Sequence, residues 1–383
     1  MTLRPSELDA LSAEVLTPVV ERCLGTRAVV QRWAWDTFGH AAADGGATPT
    51  VVRVTGEAVA DGERRAWSVV LKGVPPSAEG LAPTAPAWMS REPCLYEAGL
   101  LAGLRGVSAV RSYGAALRAD GGWWVWLEEV RDDIGRTWPP ARYALAARHL
   151  ATFNVARGAT QEALRDIPWL SRSPLPGAFA QFEPGVRQVL EARRDAVVAT
   201  AIPVEAAEAL LRLCERIPQW LSAMDTLPQE LAHWDAHRAN LLSTTDQDGH
   251  ARTVALDWAG LGRGPAGADL SHLLSQTVNF FGLDTATLPA LDAALWAAYL
   301  DGLGEAGWRG DSNHVRFAYT TASAVRLVVR VATALRVAGD AATRESFARA
   351  AGQPFDVLAL RFGRALSHYL SLAAEADRLF LAL

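Results

Sequence analysis

The sequence predicts an α+β fold in two parts, a small antiparallel sheet followed by a larger helical region. Three observations carry that prediction. Strand-like stretches cluster before Val130, apolar spacings of three and four dominate after it, and 383 residues, 50% of them hydrophobic, can bury a large core and divide into two lobes. The boundary falls at residue 130, giving lobes 1–130 and 131–383.

Ser6 followed by Asp9 reads as a helix start, with Leu8, Leu11, Val15, Val19 and Val20 as the apolar face. Arg27 to Trp35, Thr50 to Val59 and Arg65 to Lys72 read as strands, the first two separated by a loop containing Gly45-Gly46. They are expected to pair antiparallel. Ser90 is placed to cap a helix running to Leu104, and Val110 to Arg118 and Trp123 to Val130 flank the hairpin signal Ala119-Asp120-Gly121-Gly122. Helical spacing then covers Tyr143 to Ala156, Glu205 to Ala223, Leu288 to Leu303, His314 to Val337 and Phe355 to Leu383. Short strands are expected at Val254 to Asp257 and around Leu231. No internal repeat is evident.

The formal charge of −5 leaves no basic stripe, which argues against nucleic acid as the main partner. Cys23, Cys94 and Cys214 are odd in number and far apart, without zinc or disulfide spacing. Met1 to Glu7 lacks a basic segment leading into an apolar run, and no stretch reaches about 18 uninterrupted apolar residues. Neither export nor a membrane span is expected, and a reducing cytoplasm fits. Among the 37 Lys+Arg residues there is one lysine, Lys72, at the end of the apolar run Ala66 to Leu71. A buried strand ending in an ammonium delivers a compact point charge suited to close contact with a phosphate oxygen, a task arginine does not share.

The strongest local signal is Leu231-Ala232-His233-Trp234-Asp235-Ala236-His237-Arg238-Ala239-Asn240-Leu241-Leu242. Asp235 and Asn240, five positions apart in one loop, can divide the work of phosphoryl transfer: the carboxylate accepts the proton of a hydroxyl and the amide oxygen binds Mg²⁺. Asp257, ending the apolar run Val254 to Leu256, supplies a second hard ligand.

As a set, these motifs resemble the aminoglycoside phosphotransferase and choline kinase-like small-molecule kinases, relatives of the protein kinases, over roughly residues 10 to 275. The resemblance implies a bilobal protein kinase-like fold with a small antiparallel-sheet N-lobe and a mostly helical C-lobe. It implies ATP as donor, with GTP as an alternative, Mg²⁺ as cofactor, and a small-molecule hydroxyl as acceptor. Asp235 then matches the catalytic base of the His-x-Asp pattern, Asn240 and Asp257 the metal ligands, and Lys72 the phosphate-binding lysine. Glu92 matches the helix glutamate that holds that lysine, with Glu97 as an alternative. Leu127 to Val130 takes the place of the hinge, where the Glu128 carbonyl and Val130 amide would bind adenine. Two departures stand out: no Gly-x-Gly-x-x-Gly lies between the first strands, and Pro93 directly follows Glu92.

Taken singly, Asp235 reads as a helix cap and Asn240 as a turn residue. His233 reads as a loop-bracing donor, His237 as either cleft-lining or structural, and Asp269 as a cap or a brace for the catalytic loop. Arg326 and Arg330 share a helix face and fit pairing with acids or simple solvation better than an anionic substrate. The 14 tryptophans read as packing residues. A different class of function would use His233, Asp235 and His237, alternating along a strand, as a hydrolytic Zn²⁺ or Fe²⁺ site. That scheme leaves Lys72 and Asp257 without a role. A third reading is a nucleotide-binding protein without catalysis. From Arg131 to Leu383 there are 27 Asp+Glu against 25 Arg, a near balance that favours a neutral or singly charged acceptor over a polycationic aminoglycoside.

Overall fold

The computed structural model describes residues 3–37, 50–135, 137–280 and 284–383. Burial along the early strands explains their arrangement. In β3 (Glu63–Val74), Trp67, Val69 and Leu71 alternate with less buried neighbours, and then Lys72, Gly73 and Val74 are buried in succession. A strand covered on both faces at one end belongs in the middle of a sheet. It lies there, in the order β1-β2-β3-β6-β5, with β1 Ala28–Thr37, β2 Thr50–Ala60, β5 Ser112–Leu117 and β6 Trp123–Glu128, every pair antiparallel. The β5–β6 turn follows the expected signal, with Gly121 at φ 81° and the Arg118 N–H donating to the Gly122 carbonyl at 2.8 Å. The Gly45-Gly46 loop, and with it the question of a glycine-rich phosphate cover, lies outside the described residues.

One side of this sheet packs Val52, Val54, Val69 and Leu71 with Leu16 and Val20 of the helix Ala13–Leu24. On the other, Val74, Val125 and Leu127 join Leu95 and Tyr96 in the core that continues through the helical region. Two helix expectations are corrected. The first helix is two, Pro5–Asp9 and Ala13–Leu24, and the longer one is capped by Ser12, whose Oγ accepts from Val15 N at 3.4 Å, not by Ser6. The helix at Ser90 spans only Arg91–Glu97, because left-handed turns at Gly99 and Gly103 break it; the Ser90 hydroxyl accepts from Trp123 Nε1 at 3.3 Å instead of capping.

Helices Pro140–Val155, Val204–Thr226, Leu288–Glu305, Ser312–Ala338 and Phe355–Phe380 answer the expected periodicities. Ser312–Ala338 runs through the core, with Phe317, Tyr319, Val325 and Val328 fully buried. Helix Leu175–Val186 was hidden by Pro176, Gly177, Pro184 and Gly185. The 233–240 loop is carried by short strands: β7 Gln229–Ala232 pairs with β10 Gly262–Pro265, and β8 Leu241–Thr245 pairs with β9 Ala251–Ala255. β9 also pairs in parallel with β4 Val107–Ala109, which ties the N-terminal half to the helical half. Among the described residues no helix is long and apolar enough to cross a membrane.

Candidate active site

Lys72 projects from the covered end of β3, where Val51 and Val125 flank it in register. Its side chain is 7% exposed, and Nζ lies 2.5 Å from Glu92 Oε2 and 3.0 Å from Asp257 Oδ1. Burial alone would push the ammonium toward neutrality, but the two carboxylates outweigh it and keep Lys72 charged. Glu92 sits in the first turn of Arg91–Glu97, so Pro93 costs no helical hydrogen bond. Its Oε1 accepts from Trp258 N at 3.3 Å. Glu97 is exposed, so Glu92 is the lysine's partner. Arg91, fully buried, clamps this helix in place: its guanidinium donates to the carbonyls of Pro83 at 2.7 Å, Ala85 at 2.8 Å and Ala259. Nothing in the sequence marked it out.

Asp257 leaves β9 at φ 59°, a left-handed conformation. Burial would raise its carboxyl, yet the Lys72 ammonium prevails and holds it below the ordinary aspartate value. The following Trp258 is fully buried against the His233 ring, with centroids 4.7 Å apart, and against Phe153 at 5.6 Å.

The 233–240 loop hangs from one buried carboxylate. Asp269 Oδ2 accepts from His233 N and Oδ1 from Trp234 N, both at 2.8 Å, and Asn154 Nδ2 donates to Oδ2 at 2.9 Å. Asn154 is in turn held by Tyr299, whose hydroxyl donates to Oδ1 at 2.6 Å. This network fixes Trp234 at φ 64°, where a side-chain-bearing residue costs of order 1–3 kcal/mol. Gly264 accommodates the indole, since a Cβ there would lie 2.3 Å from the ring. Asp269 is therefore the brace of the loop.

Beyond Trp234, Asp235 and Asn240 face each other. Asn240 Nδ2 donates to Asp235 Oδ2 at 2.7 Å and to the Asp235 carbonyl at 3.1 Å, which leaves the amide Oδ1 as an acceptor for a cation. The Asp235 side chain is 40% open to the cleft. Burial of the remainder, together with the charge of Asp257, raises its carboxyl to about 7. Arg238 anchors the loop's far side, donating to the Leu241 carbonyl at 2.8 Å, pairing with Asp132 at 3.2 Å and lying over Trp138 at 4.1 Å.

His233 is fully buried. Its Nε2 bonds the Leu256 carbonyl at 2.9 Å, so Nδ1 is the acceptor for Asp235 N at 3.3 Å. Both ring nitrogens are thereby engaged with backbone, which removes His233 from the metal set His233/Asp235/His237; these residues also lie on a loop and a 3₁₀ turn and not on a strand. His237 does two things: Nδ1 accepts from Ala239 N at 3.1 Å, and Nε2 faces Asp235 Oδ1 at 3.5 Å. The residue that joins Asp235 and His237 is His272, on helix Leu270–Phe280, with Nδ1 3.3 Å from Asp235 Oδ1. Burial, reinforced by Arg326 and His237, holds His272 well below the usual histidine value, so it is neutral near pH 7. Three positions after Asp269, it lay outside every motif.

Glu128 ends β6 and Val130 follows at the crossing between sheet and helical region. The chain is stitched to the helical region just beyond, where Ser243 N donates to Asp132 Oδ2 at 2.9 Å and Asp133 N to the Ser243 carbonyl at 2.8 Å. For Mg²⁺ the donors are suitable: Asn240 Oδ1 and the Asp257 carboxylate are hard oxygens on adjoining loops. Asp235 and Asp257 also line a cavity of about 360 Å³, together with Met89, Leu175, Trp234, His272, Arg326 and Val329 among others.

No protein-family model and no curated protein matches this chain. Solved structures do. The aminoglycoside phosphotransferase from Alicyclobacillus acidocaldarius is similar at 18% identity with a TM-score of 0.52, over 91% of this chain and 93% of that one. A choline kinase from Cryptosporidium parvum is similar at 13% identity and TM-score 0.48, over 91% of each chain. A spectinomycin phosphotransferase is similar at 12% identity and TM-score 0.46, over 93% of this chain and 99% of that one. The first likeness gives the fold: this chain has the bilobal α+β, protein kinase-like architecture that its motifs led one to expect.

Proposed function

We propose that this protein is a phosphotransferase that moves the γ-phosphoryl group of ATP, with GTP as an alternative donor, to a hydroxyl of a small neutral or singly charged molecule. One observation carries the reading. Lys72, Glu92 and Asp257, from β3, a helix and the β9 loop, converge through contacts of 2.5 and 3.0 Å beside the Asp235–Asn240 pair joined at 2.7 Å. A buried lysine shared by two carboxylates is a costly arrangement for stability alone, because the ammonium must leave water, and it suits a group that waits for phosphate oxygens.

In this reading the Asp235 carboxylate accepts the proton of the acceptor hydroxyl, and a carboxyl raised to about 7 is well matched to that task near neutral pH. Lys72, held by Glu92, pairs with the donor phosphates. Asn240 and Asp257 would hold Mg²⁺, which when bound neutralises charge on the transferred group. Glu128 and Val130 would meet adenine through backbone groups. Most of the rate enhancement then comes from positioning and charge neutralisation. A nucleotide donor fits a cytoplasmic setting.

The test is ADP release on addition of Mg²⁺, ATP and a panel of hydroxyl metabolites and antibiotics, kanamycin included. Stimulated release by at least one neutral or singly charged compound, dependent on Mg²⁺, supports the reading. Tight nucleotide binding without turnover across the panel points to the non-catalytic alternative, and stoichiometric zinc or iron in purified protein points to a metal-dependent hydrolase. Preferential turnover of kanamycin keeps the phosphotransferase and changes the acceptor to an aminoglycoside.

A further inference from the structure

The acceptor cavity carries a charge that the catalytic machinery does not use. Arg326 projects from helix Ser312–Ala338 into the cavity and is half-buried. Its Nε donates to Ser271 Oγ at 2.9 Å and its Nη2 to the Trp234 carbonyl at 3.2 Å. Those two bonds fix the guanidinium one residue from Asp235. Among the described residues no carboxylate lies within 4 Å of it, in contrast to Arg316, paired with Glu375 at 2.8 Å, and Arg344, paired with Asp195 at 2.5 Å. Among the described residues neither Nη1 nor the second N–H of Nη2 has a protein acceptor, and together they form the end-on fork that a carboxylate fits.

The rest of the lining narrows the ligand. Pro86, Met89, Pro174, Leu175 and Val329 make an apolar wall, and among the described residues the only acidic ones in the lining are Asp235 and Asp257, which the catalytic reading already uses. Among the described residues a polycation would find no further carboxylate there. A dianion would bring surplus negative charge against Asp235. About 360 Å³ suits a compact molecule. Burial lowers the Arg326 guanidinium to about 10, the sign of a desolvated cation whose neighbours compensate it incompletely.

We infer that Arg326 binds the carboxylate of the acceptor, and that the acceptor is a compact hydroxy acid with an apolar body, its hydroxyl directed to Asp235. This rests on the phosphotransferase reading for the fate of the hydroxyl but not for the binding of the acid. The bland role for Arg326 is to brace the loop through the Trp234 carbonyl. A brace would affect all acceptors equally, whereas a carboxylate anchor discriminates an acid from its amide.

The experiment uses the full chain with Mg²⁺ and a non-hydrolysable ATP analogue, and measures calorimetric affinity for 3-phenyllactate and 3-hydroxy-3-phenylpropionate beside their primary amides. ADP release with ATP is followed in parallel. At least one acid should bind about tenfold or more tightly than its amide. Arg326→Gln should erase that preference and Arg326→Lys should keep part of it, with thermal melting to verify that each variant is folded. Equal affinity of acid and amide in the unaltered protein, a preference that survives Arg326→Gln, or binding of none of these probes overturns the inference. Arg326-dependent acid binding without ADP release upholds it while sinking the phosphotransferase reading; ADP release as fast with amides as with acids does the reverse.

Discussion

At the scale of single residues, Asp235 and Lys72 sit in opposed environments. Asp235 is raised to about 7, first by burial and then by the charge of Asp257, so protonation on the acid side removes the base. Activity should therefore fall roughly tenfold per unit as pH drops below about 7, and Asp235→Ala should lower kcat by roughly 10²–10⁴ with nucleotide affinity nearly unchanged. A flat kcat/KM profile between about pH 5 and 8, or retention of a tenth of the activity by the variant, would take the role from Asp235. Lys72 is the opposite case, a cation fixed by two carboxylates at 2.5 and 3.0 Å in a space with 7% exposure. A planar guanidinium does not fit between them, so Lys72→Arg should cost about tenfold or more in kcat/KM for ATP. Wild-type kinetics in that variant would mean that the chain's one lysine is incidental.

At the scale of elements, the 233–240 loop depends on a distant anchor. The Asp269 carboxylate receives His233 N, Trp234 N and Asn154 Nδ2, all within 2.9 Å, and it is 1% exposed. Replacing it with alanine leaves buried donors unmet, each lost charge-assisted bond being worth ~1.5–3 kcal/mol, so Asp269→Ala should destabilise by about 3 kcal/mol or more in urea unfolding. A loss below about 0.5 kcal/mol would show that water or backbone shifts replace the anchor easily. Much of this scale was legible from periodicity. The long helices Ser312–Ala338 and Phe355–Phe380 and the strands β1 to β3 emerge within a few residues of where apolar spacing put them. What stayed hidden was encoded by contacts distant in sequence: the parallel pairing of β4 with β9, the proline-bearing helix Leu175–Val186, and the break after Glu97. The same reason conceals Arg91 and His272, whose importance lies in what reaches them from elsewhere in the chain. Lys72, Asp235, Asn240 and Asp257 are legible because each belongs to a local pattern, Glu92 only through the family resemblance, and the structure brings all five together.

At the scale of the whole molecule, a sheet offers a cation, a helical body offers a carboxylate–amide pair, and the seam between them holds Asp257 and Glu92. In the proposed function this arrangement joins a phosphate donor to a hydroxyl, with the cavity beside Asp235 taking the acceptor. The near balance of charge in residues 131–383 agrees with the apolar, arginine-bearing lining of that cavity, and both speak against a polycationic acceptor. Phosphorus NMR of a reaction with Mg²⁺, ATP and the best acceptor from the hydroxyl panel follows the proposed transfer itself. A new phosphate-ester resonance should grow in equal measure with ADP and be absent with Asp235→Ala. ADP accompanied only by inorganic phosphate, or an ester formed equally by the variant, would contradict it.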